Sequence, residues 1–98
     1  MTEKPAELLR QADEKDLLAD RFESYVKNLE TLLDRIKIDS TGSGPAWTGP
    51  AAQRFDRDTL QRSADVNRLA EQCRGASRNL RRSALVLRER ARLSGEPL

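Results

Sequence analysis

Ninety-eight residues with 37% hydrophobic and 35% charged side chains suit a single domain of long helices, and a two-helix core leaves one side of each helix uncovered. With no His and one cysteine, Cys73, a disulfide framework and a His/Cys metal site are excluded within the chain, and no nucleophile–base pair for catalysis can be assembled. The net charge of +2 divides unevenly: residues 1–49 hold seven Lys/Arg against ten Asp/Glu, net −3, and residues 50–98 hold eleven Arg against six Asp/Glu, net +5.

Such halves attract one another if they fold back as antiparallel helices. The arginines are scattered among acids, with no aromatic residues interleaved, so they read as a solvated, ion-paired face. An arginine-rich nucleic-acid-binding helix is the weaker alternative. No apolar run approaches the length of a membrane span or a signal-peptide core, so neither direct membrane insertion nor a cleaved leader is expected.

The first helix is expected over about 6–39, with Pro5 tolerated in its first turn because its missing N–H would have had no partner there. Leu18, Phe22, Tyr25, Leu29, Leu32 and Ile36 step by 4, 3, 4, 3, 4, which is a heptad seam. Val26 and Leu33 widen it on one flank. Such a broad stripe suits a helix that packs against more than one neighbour.

A connection over about 40–49 follows, where Gly42, Gly44, Pro45, Gly49 and Pro50 cannot continue a helix. It also holds the only tryptophan, Trp47. Gly49 reads as the cap of the second helix and Pro50 as its first position.

The second helix is expected over about 50–93. Ala51 and Ala52 allow close approach beside the turn, and Phe55 is the first large anchor. Val66, Leu69, Cys73, Ala76 and Leu80 then step by 3, 4, 3, 4, and Ala84, Leu87 and Ala91 carry the stripe onward. Thr59 and Arg62 make its early part polar, which weakens any membrane-surface role. Cys73 falls on the stripe and is read as a small, inert core side chain. Gly75 interrupts the helix interior, and Gly95 is expected as a left-handed C′ residue before the short tail 94–98.

A chain of about a hundred residues with two amphipathic helices and a central Trp47-Thr48-Gly49, followed by Ala51, Ala52 and Phe55, resembles the WxG (ESAT-like) family of small type VII secretion proteins. The resemblance implies an all-α helix-turn-helix hairpin of two long antiparallel helices that dimerises into a four-helix bundle. It further implies export by a membrane-embedded secretion ATPase without a cleaved signal peptide, so that the protein is cytoplasmic first and secreted afterwards. Trp47 and Gly49 map onto the family's secretion-recognition turn, and no cofactor or metal is implied.

The family's Tyr-x-x-x-Asp/Glu export signal is missing, because no tyrosine follows Trp47. The partner expected is therefore a related small WxG-type protein carrying that signal, or the helical N-terminal domain of a larger effector that this chain would chaperone; a homodimer is the other possibility. The expected partner interface and core are Leu18, Phe22, Tyr25, Leu29, Leu32, Ile36, Phe55, Val66, Leu69, Cys73, Leu80 and Leu87.

Overall fold

The computed structural model describes residues 4–42 and 49–95, without the side chains of 38–42. Two helices account for it: α1, Pro5–Gly42, and α2, Pro50–Gly95. The fold is all-α, two long antiparallel helices packed as a hairpin, and among the described residues there is no strand.

Each helix start follows from its proline. At α1 the Lys4 carbonyl accepts the Glu7 and Leu8 N–H groups at 3.0 and 3.1 Å, so Lys4 is the cap residue and Pro5 occupies the first position, where no N–H is needed. At α2 the Gly49 carbonyl accepts the Gln53 N–H at 3.0 Å. Gly49 has φ +105°, a left-handed conformation that a Cβ would strain, so the residue is glycine for its backbone.

Both helices run further than the sequence pattern indicates, to Gly42 and Gly95 in place of about 39 and 93. Gly95 is not the left-handed residue expected: Gly49 alone among the described residues has a positive φ. Gly95 is instead the last residue of α2, and a Cβ built there would lie 3.7 Å from Pro5 Cγ.

The chain forms two compact units, one from residues 1–24 and 73–98 and the other from residues 25–72. In the first, the buried cluster is Leu8, Ala12, Ala84, Leu87 and Ala91, joined by Ala19, Cys73 and Ser77 among the buried residues. The seam runs through small residues seven apart, Ala12 and Ala19 on α1 and Ser77, Ala84 and Ala91 on α2. Small side chains at this spacing let two helix backbones approach closely, so dispersion contacts substitute for the bulk of leucines. The pairing is antiparallel: Asp13 meets Arg88 while Glu23 meets Ser77.

In the second unit Val26, Ala52 and Ala70 are buried. Leu29, Leu33 and Ile36 of α1 and Phe55, Thr59 and Val66 of α2 are half-buried.

Gly75 lies inside α2 and its added Cβ would meet only Arg78 Nη2, at 3.9 Å. No close helix contact requires a glycine there. Gly75→Ala is therefore expected to stabilise the protein by about 0.5–1 kcal/mol through lower unfolded-state entropy. Urea unfolding followed by circular dichroism checks this, and a midpoint unchanged or lowered would show that the position needs glycine after all.

Candidate functional site

The first unit has two unlike sides, and the helix registers explain both. Seven-residue spacing puts Asp13 with Asp20, and Asp16 with Glu23, on one flank of α1; it puts Arg81 and Arg88 on one flank of α2. These flanks face each other. Arg81 Nε donates to Glu23 Oε1 at 2.9 Å, and its Nη2 donates to Glu23 Oε2 at 2.8 Å and Asp20 Oδ1 at 2.7 Å. Asp16 Oδ1 lies 3.5 Å from Arg81 Nη1. Arg88 Nη2 reaches Asp13 Oδ1 at 3.0 Å and Asp16 Oδ2 at 2.7 Å. The buried Ser77 hydroxyl donates to Glu23 Oε1 at 2.9 Å, which fixes that carboxylate for Arg81.

Hydrogen bonds to Glu23 and then Asp20 push the Arg81 guanidinium above its ordinary range. Those to Asp16 and then Asp13 do the same for Arg88. Both arginines are solvent-accessible, so water and salt screen these attractions. The two are committed to carboxylates of their own chain, and a polyanion would have to displace those to reach them.

On the other side, Gln11, Glu14, Lys15, Leu18 and Leu80 line an open groove of about 310 Å³. Leu18 of this groove is left partly to solvent, as are Leu9, Leu17, Leu85, Val86 and Leu93 elsewhere in the unit. Leu18 is 42% exposed, and in the second unit Tyr25 is 53%, Leu32 45% and Leu69 48% exposed. Phe22, Leu29, Ile36, Phe55, Val66 and Leu80 are half-buried, and Cys73 and Leu87 are buried.

The expected seam residues thus fall into two classes. Each helix carries three rows of heptad spacing. The middle row, Phe22, Leu29 and Ile36 on α1 and Val66, Cys73, Leu80 and Leu87 on α2, is shared between the hairpin interface and its apolar flank. The hairpin takes the row of small residues beside it, and the row of large residues remains outside. Sequence reasoning gave Leu18, Tyr25 and Leu32 the weight of their size and passed over Ala12, Ala19, Ala70 and Ser77. A seven-residue recurrence of alanine was the signal available for the inner row. The arginine ladder was legible as opposite net charge of the halves, but its partners were not.

Gly49 stands at the start of α2 with its left-handed backbone, and Trp47 lies outside the described residues. Among the described residues no three His, Cys, Asp or Glu side chains converge as a metal ion would need, and no helix is long and apolar enough to cross a membrane. Compared with known proteins, the chain matches no family model, no curated protein and no solved structure.

Proposed function

We propose that this protein is a non-catalytic helical adaptor or substrate of a type VII secretion system, one half of a helical bundle completed by another chain. The observation that carries the reading is the division of apolar side chains. The hairpin buries alanines with Leu8, Leu87 and Val26, and Leu18, Tyr25, Leu32 and Leu69 are among the large side chains it leaves exposed, as expected of a chain that keeps large side chains for a partner.

The export role rests on the sequence resemblance, on Trp47 and Gly49 at the midpoint of the chain and small residues with Phe55 behind them. In this reading Trp47 and Gly49 belong to the surface that the secretion ATPase recognises. An export signal of the tyrosine type comes from another chain, such as a related small protein or the helical domain of an effector that this chain escorts.

Export from the native host tests the proposal. Trp47→Ala is expected to lower the amount in the medium at least about tenfold, as truncation of an aromatic recognition residue does, while the cell-associated protein keeps its helicity. Equal export of the variant, or export that persists without the secretion ATPase, would sink the secretion reading. Loss of helicity would reassign Trp47 to capping the fold.

A further inference from the structure

We infer that the two units open separately: the second, which includes the connection between the helices, parts while the first, which includes both chain ends, stays closed. For a helical hairpin the ordinary order is the reverse, because the connection tethers one end and the free termini fray. The inference does not depend on the secretion reading.

The first argument is burial. Of the side chains described in the first unit, 4–24 and 73–95, eight are buried; of those described in the second, 25–37 and 49–72, only Val26, Ala52 and Ala70 are. A half-buried side chain such as Leu29 or Phe55 keeps part of its apolar area in water and gains only part of the transfer free energy.

The second argument is the chemistry of α2. In the second unit Thr59 and Ser63 are half-buried, whereas in the first Ala84 and Ala91 are buried. A hydroxyl at a half-wet position adds little to the attraction between helices.

The third argument is where the ion pairs lie. Arg81 and Arg88 tie α2 to Asp13, Asp16, Asp20 and Glu23 of α1 at 2.7–3.5 Å, and the buried Ser77 hydroxyl anchors Glu23. All of these residues belong to the first unit, so the chain ends are clasped by a network rather than by isolated pairs.

A helix segment parted from its packing partner is marginal in water. Opening of the second unit therefore frees its amides, and it adds Val26, Leu29 and Phe55 to the apolar surface already open at Tyr25, Leu32 and Leu69. The first unit meanwhile keeps the helices together. Such low-stability units are the ones from which conformational change is drawn.

Native-state hydrogen exchange on the purified full chain, resolved by residue, tests the inference. Amides of 26–36 and 55–70 are expected to exchange at least about tenfold faster than those of 12–22 and 77–91, through an opening short of global unfolding. Val26→Ala takes packing from the second unit and should speed exchange there at least about threefold. Arg81→Gln takes the same contacts from the closed and the half-open forms, so it should speed exchange in 12–22 and 77–91 at least about threefold and leave 26–36 and 55–70 unchanged.

Equal protection of the two units, faster exchange in the first, or an Arg81→Gln chain that exchanges faster in both units alike would overturn the proposal, because each describes a single cooperative hairpin or the opposite order of opening. A second unit indifferent to Val26→Ala would overturn it as well.

Discussion

Ala84→Leu is expected to unfold the hairpin at a markedly lower temperature than the wild-type chain. Ala84 has no exposed surface and belongs to the buried cluster with Leu8, Ala12, Leu87 and Ala91. A leucine there adds three carbons at a site with no exposed surface, among Leu8, Ala12, Leu87 and Ala91. Overpacking of this kind costs about 1–3 kcal/mol.

For a domain of this length that corresponds to a fall in Tm of about 4–8 °C per kcal/mol. Thermal unfolding followed at the helical circular-dichroism band measures it, with Ala64→Leu as the control. Ala64 is exposed on α2, and leucine is a good helix former there, so its Tm should hardly move. If both variants melted together with the wild type, the small-residue seam would not be the contact that joins the helices.

The second large effect belongs to Arg81→Glu. Arg81 touches three carboxylates, Asp16, Asp20 and Glu23, and the Ser77 hydroxyl holds one of them in place. Reversing the charge removes three hydrogen bonds and gathers four carboxylates in one patch, so like-charge repulsion replaces attraction. Among arginine reversals this one is expected to lower the Tm most at low salt.

Arg68→Glu is the natural comparison, since Arg68 reaches only Asp65 of its own helix, at 3.8 Å. Both residues are exposed, so the difference between Arg81→Glu and wild type should shrink by more than half in 1 M NaCl, where the screening length is about 3 Å. Folding raises the pKa of Arg81. Its contribution is therefore fully present below the ordinary arginine value and is lost only as strong alkali is approached, so the wild-type arginine stays charged throughout the neutral range of the comparison. A salt-independent loss of stability would mean that Arg81 acts through the packing of its aliphatic stem.

Much of the fold could be read directly from the residues. Leu29 and Ile36, Val66 and Leu80 announce heptad helices, and Pro50 behind Gly49 marks where the second begins. What misled was size. Periodicity weights a leucine or tyrosine far above an alanine, so Leu18, Tyr25, Leu32 and Leu69 defined the seam on paper, whereas in the structure they lie on its outer flank. The end at Gly95 was misplaced because glycine is a helix stop by local propensity, whereas α2 includes it.

The sequence by itself determined that the chain is helical, that it reverses near its middle, and that its halves carry opposite charge, because these follow from backbone propensity and composition and need no knowledge of what touches what. Only the tertiary structure decided which of two adjacent rows is buried, and that Arg81 and Arg88 reach the carboxylates of Asp13, Asp16, Asp20 and Glu23 on the opposite helix. Those outcomes depend on how closely two helix backbones approach. That distance is set by both helices together: alanine and serine at seven-residue spacing permit a close contact that leucine and tyrosine would forbid, and the larger side chains are displaced to the surface as a consequence.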